Sequence, residues 1–187
     1  MKTIFNQLRG QYIVLFTLSL VLTNCKKETD TVVITPNISV ELPKNFEYFE
    51  SNNTSTVKTN PDTIILSKSY NYSASLNGDD IFISKTIESA FDTLSLEQQK
   101  AKLAPNLKGY VGGFQGANLV HKDTIMQDWV QSDLNFEVKL TDTPSIIYCR
   151  LIIQDSNLVF INYMAKLPLT KQSIKDKDHF FKSITHN

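Results

Sequence analysis

The sequence predicts an α+β domain, an antiparallel β-sheet flanked by helices. Three observations carry that prediction. Apolar and polar residues alternate with a period of two in several separate stretches, most clearly over 64–76 and 130–140. Turn-forming clusters stand between these stretches: Asn77-Gly78-Asp79, Thr141-Asp142-Thr143-Pro144 and Asp155-Ser156-Asn157. Two further stretches, 95–114 and 171–185, carry apolar residues at helical spacing.

Taken in order, Ile38-Ser39-Val40-Glu41-Leu42 alternates strictly and reads as a half-buried strand that Pro43 stops. Residues 46–60 are rich in Asn, Ser and Thr and read as a loop or an irregular edge. From Ile64 to Leu76 the even positions Ile64, Leu66, Tyr70, Tyr72, Ala74 and Leu76 are apolar, whereas Ser67 to Ser75 supply Ser and Asn at odd positions, so one face is expected dry and the other wet. Asn77-Gly78-Asp79 then predicts a hairpin into Ile81, Ile83 and Ile87.

Ser95 with Gln98 three residues on forms a capping box at a helix start. Leu96, Leu103, Leu107, Val111 and Phe114 share one stripe, and Pro105 is expected to kink the helix or break it in two. Gly109, Gly112, Gly113 and Gly116 follow without the spacing of a phosphate-binding loop, and they read as helix termination. Leu119 to Met126 is a further expected strand. In 130–140, Leu134, Phe136, Val138 and Leu140 form a dry face opposite Asp133, Asn135, Glu137 and Lys139. Ile146 to Ile153 is apolar on both sides and reads as a central strand. Val159, Ile161, Tyr163, Ala165 and Leu167 line one face of the next strand, Pro168 ends it, and a final helix over 171–185 is expected to turn Ile174, Phe181 and Ile184 inward.

The N-terminus carries an address. Lys2 and Arg9 precede an uncharged apolar run from Ile13 to Leu22, which is the length and order of a secretory signal; a membrane span needs roughly 20 apolar residues. Leu22-Thr23-Asn24-Cys25 resembles a bacterial lipobox, with Asn24 departing from the usual small residue. That resemblance implies a signal peptide over 1–24, removed on export, and a diacylglyceryl group on the Cys25 thiol. Residues 25–36 read as a polar tether and 37–187 as a single globular domain. Loss of Lys2 and Arg9 leaves 17 basic against 19 acidic side chains, because 19 minus 2 is 17, so the exported chain has a net charge near −2. This balance offers no nucleic-acid surface.

The two cysteines are Cys25 and Cys149, so acylation of the first leaves no disulfide within the chain, and the apolar neighbours of the second mark it as a buried hydrophobe. His121, His179 and His186 are too scattered for a zinc motif, and GxSxG, SxxK and compact paired-carboxylate motifs are missing. No catalytic residue, metal or cofactor is therefore expected. Trp129 and Tyr70, Tyr72, Tyr110, Tyr148 and Tyr163 are candidates for lining a groove, with core packing the competing role. Asp30-Thr31-Val32, Asp62-Thr63-Ile64, Asp92-Thr93-Leu94 and Asp123-Thr124-Ile125 resemble the Bacteroidota O-glycosylation signal, which would place sugars on Thr31, Thr63, Thr93 and Thr124; the same dipeptides also suit turns and element starts.

The order of strands, helix, strands and terminal helix, together with Arg150-Leu151-Ile152, Phe160-Ile161-Asn162-Tyr163 and Phe180-Phe181-Lys182-Ser183-Ile184, resembles the PsbP/DcrB-like (Mog-type) exported domains over roughly residues 38–185. The resemblance implies an α/β/α sandwich and a non-enzymatic binding or assembly module. The expected protein is a Bacteroidota-type lipoprotein, anchored to the outer membrane of the cell envelope through its N-terminal lipid, with an envelope protein as partner. A small-ligand-binding lipoprotein with a pocket between sheet and helices is the alternative.

Overall fold

A computed structural model of the chain describes residues 28–57, 63–87, 94–114, 117–126, 129–139 and 143–186. The signal stretch, Cys25, Thr93, Gly116 and Leu140 lie outside the described residues, as do the side chains of Ile64, Leu66, Thr63 and Thr124.

Two antiparallel meanders form the main sheet. The first is β3 (Glu47–Val57), β4 (Thr63–Leu76) and β5 (Asp79–Ile87); the second is β6 (Asn118–Met126), β7 (Val130–Lys139), β8 (Pro144–Gln154) and β9 (Asn157–Lys166). They join along β5 and β9, giving the order β3-β4-β5-β9-β8-β7-β6. β1 (Thr29–Thr35), β2 (Ile38–Pro43) and the short β10 (Thr185–His186) make a second sheet in the order β1-β2-β10. Helix α1 (Leu96–Gly112) connects the meanders and α2 (Lys171–Lys182) follows β9.

Local chemistry fixes the joints. Asn77 and Gly78 both take positive φ, 56° and 89°, so a two-residue turn pairs Leu76 with Asp79 and sets the register of the β4–β5 hairpin. Ser95 caps α1 reciprocally: its hydroxyl accepts from the Gln98 amide while its own amide donates to the Gln98 side chain. β8 lies between β7 and β9, and Ile146, Ile147, Cys149, Leu151, Ile152 and Ile153 are all buried, as expected of a central strand.

Alternation along the strands sorts the core into two clusters, one on each face. Leu134, Phe136, Val138, Cys149 and Leu151 pack with Leu103 and Leu107 of α1. On the opposite face Ile81, Ile83, Val159, Ile161 and Tyr163 pack with Ile34, Ile38, Val40 and Leu42 of the second sheet and with Phe180 of α2.

Five expectations need correction. Residues 29–35, assigned to the tether, form β1, because Val32 and Val33 pair with Val40 and Ser39 of β2 and Ile34, at the bulge that follows, is buried. The Asn/Ser/Thr-rich stretch read as a loop or irregular edge is the regular edge strand β3, paired residue for residue with β4 from Glu47–Ser73 to Val57–Thr63. α1 runs through Pro105 as one 17-residue helix, with Leu103 and Leu107 packed on either side of the missing amide. The wet face of β4 is partly covered: Ser69 and Asn71 are buried, bonding Thr86 and Ser51.

The fifth concerns α2, which ends at Lys182 with Ile174 exposed; its buried residues are Ser173, Asp176 and Phe180. Polar bonds set this phase. Thr170 caps the Ser173 amide, Gln172 donates to Asp176 across one turn, and Asn77 in the hairpin turn donates to Asp176. Ser183 closes the helix by donating to the Phe180 carbonyl and accepting from the Glu41 amide of β2.

Candidate functional site

Helix α2 lies over the main sheet with a cleft on each flank. One, of about 310 Å³, opens towards β7 and β8; the other, of about 620 Å³, opens towards β2 and the β4–β5 hairpin.

The smaller cleft is built by strand register. β7 and β8 place Asp133 directly opposite Arg150 and Asn135 opposite Tyr148, all on the face that α2 covers. Arg150 donates from Nε to Asp133 Oδ1 at 2.8 Å and from a terminal nitrogen to Oδ2 at 2.7 Å, a bidentate fork. Gln131, one pleat away, also donates to Oδ1 at 3.1 Å. The guanidinium then lies over the Phe181 ring at 5.4 Å, while Lys177 sits over Tyr148 at 4.7 Å and pairs with Asp178 at 2.8 Å.

Two features of the cleft lining stand out, beside a stacked pair that lies outside that lining. The fork consumes two of the five guanidinium N–H groups, so three have no protein acceptor among the described residues. Asn135, which lines the cleft, has a buried Oδ1 without a donor among the described residues. Trp129 and His186 stack with centroids 4.3 Å apart and planes within 5°, and their buried Nε1 and Nδ1 also go unpartnered among the described residues. His186 is held below the ordinary imidazole value by burial and then by the positive charge of Arg150. The cleft therefore presents the Arg150 donors beside the flat rings of Tyr148 and Phe181, a chemistry suited to a carboxylate flanked by a planar group.

Cys149 is 2% exposed; burial, followed by the Asp133 carboxylate, pushes its thiol up, so it stays protonated. Tyr163 and Tyr110 serve the core: Tyr163 donates to buried Asp79 at 2.8 Å and Tyr110 to Asn162 at 2.8 Å. Tyr72 packs beside Phe46 and Tyr48, and Tyr70 is flanked by Lys68 and Lys85. Among the described residues no three His, Cys, Asp or Glu side chains gather to hold a metal ion, and no helix is long and apolar enough to cross a membrane. Thr31 is exposed on β1. In the sequence Asp133 belongs to a charged strand face and Arg150 to a central strand; only the register that sets them opposite each other reveals a pair.

No family model and no curated protein sequence matches the chain. Among solved structures it resembles cyanobacterial PsbP (CyanoP) from Synechocystis, with a TM-score of 0.52 and 9% identity over 86% of this chain and 94% of that one. A protein of unknown function from Pseudomonas aeruginosa, PA94, aligns with a TM-score of 0.43 and 10% identity over 83% of this chain and 92% of that one. The chain is an α+β protein with a PsbP-like fold.

Proposed function

We propose that the chain is a lipid-anchored cell-envelope protein of the Bacteroidota type, non-enzymatic, that docks an envelope protein partner in the cleft between β7, β8 and α2. The observation that carries the docking reading is Arg150: it is fixed by Asp133 and backed by Phe181, with three donors that have no acceptor among the described residues. A positioned guanidinium beside aromatic rings is the kind of anchor that dominates protein interfaces. The anchor reading rests on Leu22-Thr23-Asn24-Cys25 and the apolar run before it; acylation of Cys25 holds the domain at the outer membrane. We read the layers as an α/β/α sandwich, with α1 over one face and α2 and the second sheet over the other, a reading supported by the two core clusters. O-glycosylation at Thr31 is supported by its exposure, and we extend it to Thr63, Thr93 and Thr124 on the sequence pattern alone.

The alternative, a small-ligand pocket between sheet and helices, is favoured by cleft volumes of about 310 and 620 Å³, which fall in the range of roughly 300–1,000 Å³ typical of ligand sites. Affinity capture of the full chain from its native membranes separates the readings. A protein enriched by the wild type and lost with Arg150→Gln is expected; no captured protein, or capture unchanged by the substitution, would sink the docking reading.

A further inference from the structure

We infer that the larger cleft beside α2 holds an acyl chain of the lipid on Cys25. This rests on the proposed acylation and adds where the lipid goes. The cleft is lined by apolar Pro43, Leu76, Ile81 and Phe180 together with polar side chains that include Thr29, Lys175 and the buried Asp176. Thr29, the first residue of β1, thus both lines the cleft and is the fourth residue after Cys25.

The chain before it is pinned close by. The Glu28 carbonyl accepts from the Lys44 amide at 3.2 Å and its carboxylate pairs with Lys44 Nζ at 2.9 Å. Only Lys26 and Lys27 separate Glu28 from Cys25, so the Cα of Cys25 lies within about 11 Å of the Glu28 Cα however the two lysines are arranged. Because residues 29–35 are a strand and not a tether, a lipid that a long tether would have carried away starts near the cleft. A volume of about 620 Å³ accommodates an alkyl chain, and its apolar side chains supply the contact that an acyl chain seeks on leaving water.

The test uses the full chain, produced in its native membrane by cells fed a diazirine-bearing fatty acid. Intact mass first shows whether Cys25 carries acyl groups; an unacylated chain overturns the anchor reading and this inference together. With acylation established, irradiation is expected to place adducts on the peptides that contain Leu76, Ile81 and Phe180. Adducts confined to bilayer lipid, or found elsewhere on the domain, overturn the inference while leaving the anchor standing. Leu76→Trp, which fills the cleft, is expected to lower adduct yield at Phe180 several-fold with an unchanged thermal midpoint; an unchanged yield counts against the cleft. Cys25→Ser given the same free fatty acid is expected to label these peptides at least tenfold less, whereas equal labelling assigns the cleft to free or bilayer lipid and overturns the inference.

Discussion

The two faces of the main sheet are made by the same strands and do different things. Under α1, β7 and β8 present Leu134, Phe136, Val138, Cys149 and Leu151, all buried, against Leu103 and Leu107. One pleat away, under α2, they present Asp133, Asn135, Tyr148 and Arg150 at the base of an open cleft. α1 meets the sheet through leucines. α2 meets it through Ser173, Asp176 and Phe180, so polar bonds position it and one aromatic seats it. The first arrangement stabilises the fold; the second keeps a surface available without exposing the core.

That contrast is most exposed at Phe136, which is fully buried and packs on Tyr110 and Phe114 at 6.0 and 5.3 Å. Phe136→Ala is expected to cost about 3–5 kcal/mol in urea unfolding, whereas Phe181→Ala on the other face should leave most of the stability and remove partner capture. Equal losses would show that both faces are structural.

Next in size is the buried bond between Tyr163 and Asp79, which is 5% exposed. Tyr163→Phe removes the donor and leaves a buried carboxylate oxygen short of a partner, so a loss of about 1–3 kcal/mol is expected. Burial, then the bond to Asp79, raises the Tyr163 hydroxyl's pKa, so it remains protonated through the alkaline range in which exposed tyrosines ionise.

A smaller effect depends on pH. Burial and Arg150 depress the proton affinity of His186 in the folded chain. The unfolded chain therefore binds the proton first on acidification. The stabilising contribution of the neutral ring is complete above the ordinary imidazole value of about 6.5 and is lost as pH falls through it towards the folded value. Urea midpoints at about pH 7.5 and about pH 5.5 should differ more in the wild type than in His186→Phe, which keeps a ring against Trp129. An identical pH slope in the two proteins would remove His186 from the account.

The smallest effect is expected at the first meander, where Tyr48 donates to Glu50 at 2.6 Å and Glu50 pairs with Lys68 at 2.6 Å on the exposed edge of the sheet. The Glu50 bond, with lesser desolvation, raises Tyr48 to about 12. Glu50→Gln should lower the pH at which Tyr48 ionises, followed by ultraviolet absorbance, with no measurable change in thermal midpoint. A lost midpoint would mean that this edge contributes to the fold.

Much of the fold was legible because alternation and turn chemistry act locally. Asn77-Gly78 could adopt few other turns, and Leu134, Phe136 and Val138 could only face one way once β7 was extended. β1 and β3 were not legible because neither alternates: Ser51, Asn52 and Asn53 of β3, and Thr29 to Thr31 of β1, are held extended by pairing with the next strand, β4 and β2, and not by a buried face of their own. The phase of α2 was misjudged because Ser173 and Asp176 are drawn inward by Thr170, Gln172 and Asn77, which no apolar periodicity records. The candidate site was least legible, since Asp133 and Arg150 become a pair only through a register 17 residues apart in sequence.

The docking claim is tested most directly by a photo-reactive amino acid placed on each face of the membrane-anchored full chain, at Asp178 beside the Arg150 cleft and at Glu97, exposed on α1. A discrete crosslinked protein from Asp178, absent from Glu97 and lost when Arg150→Gln is added, is the predicted result. The same product from both positions, or a product from Glu97 alone, would contradict it.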